Sequence, residues 1–114
     1  MNKVEIMGKV SHLESGYKEV NGEDLFILRF AVEVAREGSK TQIDPIPCRV
    51  TGTMAEDVKK DIKNGDTVSI KGRWNVDKIL NTNGEVIHYC ACIPQVIMLA
   101  RRDKEERGND LSIR

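Results

Sequence analysis

Basic residues alternate with apolar residues along several segments, and this spacing could hold a polyanion. Arg29, Arg49, Lys71 and Arg73 lie in segments with the period of two that half-buried strands show. Successive side chains of a strand point to opposite faces, so the four cations are predicted to share the face away from the core. Guanidinium and ammonium groups lined up in this way suit contacts with phosphates.

Three more basic residues and one aromatic extend this candidate surface. Arg36 and Lys40 lie in a polar turn, and Lys78 lies in a predicted hairpin. Tyr17 is the only aromatic in the polar segment 14–24. Arginine planes and loop aromatics can stack on bases, so all four are candidate nucleic-acid-binding residues. The alternative for Tyr17 is a ring folded over the core.

The surface also has a plain interpretation, in which its charges only keep the strands soluble. Glu33 and Asp77 are predicted on the same face, where they would partly cancel the positive field. The chain has 18 basic and 18 acidic residues and a formal net charge of +0. A polyanion site must therefore come from local segregation of charge.

Metal and catalytic chemistry have little support in the sequence. His88, Cys90 and Cys92 alternate on one strand face and could hold a soft metal with Cys48, but the paired Cys-x-x-Cys spacing of zinc sites is absent. A buried free cysteine more often serves as a small apolar residue. With only two histidines and no glycine-rich phosphate loop, the chain is predicted to be no enzyme and to hold no metal or other cofactor.

The elements that position these residues follow from the alternation and from turn residues. The predicted order is a strand from Val4 to Val10 broken at Gly8, the polar loop or hairpin 14–24, strands near 25–35 and 46–51, a helix, a strand from Asp66, a fifth strand at 85–93 and a short last strand at 96–99. The parity of Trp74 and Tyr89 assigns both to packing or to a subunit interface rather than to a ligand.

The helix and the last hairpin have the clearest local signals. Thr53 and Glu56 have the spacing of a capping box, and Gly65 predicts the end of the helix. The turn sequence 81–84 predicts that the fourth and fifth strands form a long hairpin projecting from the sheet.

Length and composition predict one domain. We expect a folded domain at 1–100 and a highly charged tail at 101–114. No apolar run approaches the ~18 residues that cross a membrane, and the N-terminus lacks the pattern of a secretory signal. With three cysteines, an odd number, the prediction is a cytoplasmic protein with reduced thiols.

The order of elements is that of a five-stranded Greek-key OB-fold barrel, an all-β class with one helix. The segments MNKVEIMGKV, FILRFAVEVAR, IPCRVTG, MAEDVKK, GDTVSIKGRW and NTNGEVIHY resemble the bacterial single-stranded DNA-binding protein family over about residues 1–100. The resemblance implies sequence-tolerant binding of single-stranded DNA in replication, recombination or repair. It also implies a homo-oligomer, dimer or tetramer, that is associated with the nucleoid and recruits replication proteins.

Two departures from the family pattern weaken that expectation. Where many members have stacking aromatics this chain has Arg36, Pro45, Thr51 and Ile79, and each lost base stack removes about 1–3 kcal/mol. The sequence ends at 110–114 without the acidic tip that engages partners, so recruitment through the tail is not predicted. The alternative function is an OB-fold interaction or scaffold module of a replication or primosome assembly, with weak DNA binding.

Overall fold

The computed structural model describes residues 1–102, so nearly all of the tail predicted at 101–114 lies outside the described residues. The elements are β1 (Val4–Val20), β2 (Glu23–Ala35), β3 (Ile43–Thr51), α1 (Gly52–Asp61), β4 (Thr67–Leu80) and β5 (Val86–Arg101). Within residues 1–102, α1 is the only helix, and no helix there is long and apolar enough to cross a membrane.

The strands form a closed barrel in the order β1-β2-β3-β5-β4. All neighbouring pairs are antiparallel except β3 and β5, which meet in parallel at Cys48 and Cys92. The helix connects β3 to β4. This arrangement is the predicted five-stranded OB-fold barrel, and the prediction of fold class is confirmed.

The strands contribute to the core the side chains that the period of two assigned to the inside, and α1 adds Ala55 and Val58. Leu28 and Val32 of β2 and Val68 and Ile70 of β4 are each no more than 1% exposed. Trp74 is partly buried and packs against this cluster, which confirms its predicted position on the core side. Burial of such alternating residues is the main source of stability in a barrel of this size.

Two glycines allow the strands to bend where they change partners. A Cβ at Gly8 would lie 2.1 Å from the carbonyl oxygen of Glu33, and one at Gly72 would lie 2.3 Å from that of Ile93. Near Gly8, β1 stops pairing with β4 and begins to pair with β2. This change of partner lies where the sequence predicted a break in the strand. Only glycine permits these close backbone contacts.

The polar segment 14–24 is a hairpin rather than a loop. β1 continues to Val20, and the turn residues Asn21 and Gly22 have φ of 52° and 82°. Positive φ at both central residues matches the twist of a two-residue hairpin turn. The first strand is therefore much longer than predicted.

Two local predictions were wrong. The helix begins at Gly52 with Thr51 as its N-cap and no side-chain capping bond, so Thr53 and Glu56 form no capping box, and it ends at Asp61, well before Gly65. The segment 96–99 is part of β5 and not a separate strand, because β5 passes Pro94 with a register shift opposite Gly72.

The predicted long hairpin is present. β4 and β5 remain paired to Leu80 and Val86, beyond the last contact of β4 with β1 at Gly72. The Asn81 side chain accepts hydrogen bonds from the backbone N–H groups of Asn83 and Glu85, both at 2.9 Å, and so closes the turn.

Candidate nucleic-acid interface

A groove of about 460 Å³ lies across the outer surface of β2 and β3 and is bounded by the β4–β5 hairpin. We call it the Tyr89 groove. Its lining residues are His12, Glu14, Arg29, Phe30, Ala31, Pro45, Pro47, Cys48, Arg49, Asn75, Tyr89, Cys90 and Ala91. Apolar groups from alanine, proline and tyrosine make up much of the lining, with charge confined to a few positions. Such a surface can accept flat apolar faces alongside an anion.

Arg29 and Arg49 are register partners on β2 and β3, and both line the Tyr89 groove. Like charges directly opposite each other on a sheet destabilise it, so the pair needs counter-charge. Among residues 1–102, Arg29 has no ion pair, whereas Arg49 donates from both terminal guanidinium nitrogens to one oxygen of Asp77 at 3.3 Å. The two guanidinium groups form the positive centre of the groove.

Acidic residues flank this pair on both sides. Glu14 of β1 is the register partner of Arg29, and Asp77 comes from the hairpin. The charges across the sheet therefore run negative, positive, positive, negative. This pattern supports part of the plain interpretation of the sequence, since Asp77 does reduce the positive field at the arginines.

A second, smaller groove of about 210 Å³ adjoins the first, and we call it the Lys18 groove. It is lined by Lys18, Val20, Leu25, Ile27, Arg29, Arg49, Thr51 and Asp77. Ile27 is only 4% exposed although it lies on the outer side of β2, opposite in parity to the barrel core. Because Arg29 and Arg49 line both grooves, the two depressions meet at the arginine pair.

Tyr89 lines the groove, although its parity in the sequence predicted packing or a subunit interface. It is 56% exposed and lines the Tyr89 groove together with Asn75 and Ala91 of the same hairpin. Its ring is available to stack on a base. Lys18 was likewise missed, because it lies in the segment predicted as loop or hairpin.

Tyr17 lies on the other side of the β1–β2 hairpin. Its ring contacts Phe26 edge to face, with centroids 5.4 Å apart, and the Lys59 ammonium lies 5.5 Å from the Phe26 centroid. Tyr17 remains 72% exposed but lines neither groove. The contact with Phe26 favours the alternative interpretation, in which the ring packs against the barrel, while the exposed part of the ring leaves base stacking a prediction.

Arg36 is held within the chain. Its guanidinium donates to both oxygens of Asp44 and, at 2.9 Å, to the side-chain oxygen of Gln42. Hydrogen bonding to this guanidinium lowers the pKa of the Asp44 carboxyl and raises that of Arg36. Arg36 therefore presents a neutralised surface pair beside the start of β3.

The other predicted basic residues are spread around the barrel. Arg73 is exposed and donates to Asn75 at 3.1 Å, at the border of the Tyr89 groove. Lys71 lies on the outer wall of β1 and β4, opposite Glu5. Lys78 is paired with His88 far along the hairpin, and Lys40 is exposed in the β2–β3 turn. The structure brings together Arg29 and Arg49 with Arg73 nearby, and separates them from Lys71.

The cysteines lie beside the groove floor but do not form a metal site. Cys48 and Cys92 are buried where β3 meets β5, and Cys90 is exposed. Burial, followed by the neighbouring Cys92 thiol, strongly raises the pKa of Cys48, and burial raises that of Cys92. In residues 1–102 no group of three or more His, Cys, Asp or Glu side chains is placed to hold a metal ion.

A closed five-stranded OB barrel with a groove on its outer surface is an architecture that binds oligonucleotides or oligosaccharides. The model of the single-strand binding protein family matches residues 1–95, so the chain belongs to that family. It is therefore a single-stranded DNA-binding protein, and proteins of this family bind DNA without catalysing a reaction. A comparison with curated proteins gives no match.

Proposed function

We propose that this protein binds single-stranded DNA with little sequence preference through the Tyr89 groove, and that it acts in replication, recombination or repair in the cytoplasm, at the nucleoid. The observation that carries the proposal is the placement of Arg29 and Arg49 side by side in a groove with an apolar lining and one exposed tyrosine. This combination offers one phosphate site and adjacent surfaces for bases.

The Tyr89 groove offers a suitable surface to both the phosphates and the bases of a DNA strand. A phosphate accepts hydrogen bonds from the two guanidinium groups, which relieves their mutual repulsion. The neighbouring bases pack against Tyr89, Pro45 and Pro47, which contact flat faces rather than base edges. Every base has such a face, so contacts of this kind favour sequence-tolerant binding.

The balance of forces differs from that of a binder rich in aromatics. Tyr89 is the one tyrosine, tryptophan or phenylalanine among the lining residues whose ring is well exposed. With about 1–3 kcal/mol per base stack, electrostatic contacts must supply a large share of the affinity. We expect log K to fall steeply with log salt, by ~0.7 for each phosphate neutralised.

Fluorescence anisotropy with a labelled oligo-dT of tens of nucleotides, at low and at moderate salt, tests the proposal. Saturable binding at low salt that weakens at moderate salt supports it, and a duplex of the same length serves as the competitor control. No binding at micromolar protein in low salt would contradict it.

We further propose that the protein is a homo-oligomer that uses the outer wall of β1, β4 and β5. Met7, Ser69 and Met98 are register neighbours across the three strands, and the two methionines are 58% and 63% exposed. Val96, 48% exposed, lies on the same wall opposite Lys71. An apolar row of this kind suits a self-complementary contact with a second copy.

Light scattering on wild type and on Met98→Lys tests this assembly. We expect a dimer or tetramer for wild type and a smaller species for the variant. Ile43→Lys, which changes an apolar residue at the start of β3 that is 51% exposed, is the control and should leave the mass unchanged. A monomeric wild type would contradict the proposal.

A second candidate function is an interaction module of a replication or primosome assembly. The hairpin favours it, because Ile79, Leu80 and Val86 near its tip are 50%, 69% and 57% exposed. Such a patch suits a protein partner better than DNA. Copurification after nuclease treatment distinguishes the two functions, since only a stable protein partner survives it.

A further inference from the structure

The carboxylate of Asp77 occupies the side of the arginine pair where a DNA phosphate would bind. Both terminal nitrogens of Arg49 donate to a single oxygen of Asp77 at 3.3 Å. Arg49 lies where the two grooves meet. A DNA strand that passes from one groove to the other must therefore cross the ion pair between Arg49 and Asp77. Asp77 and a phosphate therefore compete for the same donors.

The ion pair has the geometry of a contact that can be exchanged. Charge-assisted N–H···O bonds are usually ~2.7–2.9 Å long, and a carboxylate facing a guanidinium normally uses both oxygens. The pair formed by Arg36 and Asp44 uses both carboxylate oxygens and is reinforced by Gln42. Both bonds of the Arg49–Asp77 pair are 3.3 Å long and share one oxygen, whereas only one of the two Arg36–Asp44 bonds is that long. The Asp77 side chain is also 50% exposed.

We propose that Asp77 is an internal competitor of the DNA phosphate, which holds Arg49 in the free protein and releases it when a strand crosses between the grooves. This rests on the proposed function. In the free protein the contact offsets the repulsion between Arg29 and Arg49. On binding, the phosphate replaces the carboxylate, so part of the attraction to DNA is spent in breaking the pair.

The consequence is that Asp77 limits affinity. A partly exposed ion pair is worth about 0.2–1 kcal/mol, so its removal should tighten DNA binding by a factor between about 1.4 and 5. Because the phosphate replaces the carboxylate in the wild-type complex as well, both proteins neutralise the same number of phosphates, and the slope of log K against log salt should stay close to its wild-type value.

The test measures oligo-dT affinity and its salt dependence for Asp77→Asn beside wild type. Asp57→Asn is the matched control, because Asp57 is exposed on α1 and the substitution changes net charge equally. Arg49→Ala and the double variant Arg49→Ala with Asp77→Asn show whether the effect depends on Arg49. Because Asp77 is exposed, we expect Asp77→Asn to fold as wild type does, and circular dichroism checks the fold of each variant.

Support requires tighter binding of Asp77→Asn with a salt slope close to that of wild type, no comparable gain for Asp57→Asn, and no gain in the Arg49→Ala background. The proposal is overturned by equal or weaker binding of Asp77→Asn, by an equal gain with Asp57→Asn, or by a gain that persists without Arg49. Weaker binding would assign Asp77 to positioning Arg49. If wild type itself binds no oligo-dT, the proposed function fails instead, which is a separate result.

Discussion

Arg29 and Arg49 lie directly opposite each other on the antiparallel strands β2 and β3, two like charges in one cross-strand pair. A sheet gains nothing from this arrangement, since opposed like charges destabilise a pair by a few tenths of a kcal/mol to about 1 kcal/mol. The pair lines both grooves of the candidate interface. An anion bound there turns an unfavourable contact into a favourable one, which is the physical basis of the proposed site.

Replacing Arg29 by alanine should therefore separate function from stability. We expect oligo-dT binding to weaken by about tenfold at low salt, because one charge-assisted contact is lost. The free energy of unfolding should stay the same or rise slightly, since the repulsion with Arg49 disappears. Anisotropy and urea denaturation measure the two quantities. Lys60→Ala, on the exposed side of α1, should change neither, and an equal loss of binding there would point to bulk charge.

Tyr89→Ala should weaken oligo-dT binding by about 1–3 kcal/mol, whereas Tyr89→Phe, which keeps the ring, should bind almost as wild type does. Tyr17→Ala should have a smaller effect, because Tyr17 lines neither groove and packs against Phe26. Titrations of the three variants with oligo-dT at one salt concentration measure these differences in affinity. A larger loss for Tyr17→Ala would move the interface to the other side of the β1–β2 hairpin.

Gly8→Ala should destabilise the barrel by about 1–3 kcal/mol, because its Cβ would meet the backbone of Glu33 and force β1 to shift. Gly16→Ala in the same strand is the control, since no atom lies within 4 Å of the added Cβ. Urea denaturation of both variants provides the comparison. Equal stability of the two would show that the close approach at Gly8 is not needed for closure of the barrel.

The buried thiols should make stability fall at alkaline pH. Burial raises the pKa of Cys48 in the folded protein, whereas in the unfolded chain the thiol ionises at its ordinary value of 9.0. The protonated thiol therefore contributes fully to the free energy of unfolding below that pH. Its contribution declines as the pH rises further, by up to about 1.4 kcal/mol per pH unit for each such thiol. Denaturation of wild type and Cys48→Ala across this range should show a flatter decline for the variant. Parallel declines would contradict the assignment.

Much of the barrel could be predicted because long stretches of its strands follow a period of two. The inward residues Leu28, Val32, Val68 and Ile70 are identified by parity alone, and they lie in the buried core. The boundaries of the helix were harder to predict, since Thr51 caps α1 through its backbone conformation without a side-chain hydrogen bond. A spacing that permits a capping box does not show which residue leaves the helical conformation.

The site was only partly predictable, for reasons of geometry. Parity placed Arg29 and Lys71 outside the core, but the outer surface of a closed barrel has several sides, and only Arg29 lines the grooves. Parity also could not predict that Tyr89 lines the Tyr89 groove, because the path of the hairpin beside β3 is a tertiary feature. A bulge between Ser11 and Glu14, where His12 has φ of 54°, shifts the parity of β1 and places Tyr17 beside Phe26.

Photocross-linking tests most directly whether single-stranded DNA lies in the Tyr89 groove. The 114-residue protein is irradiated with an oligo-dT that carries 5-iodouracil, and the cross-linked peptide is identified by mass spectrometry. We expect attachment at Tyr89, lost in Tyr89→Ala and suppressed by excess unlabelled oligo-dT. Attachment at Tyr17 or Trp74 with Tyr89 unmodified would contradict it.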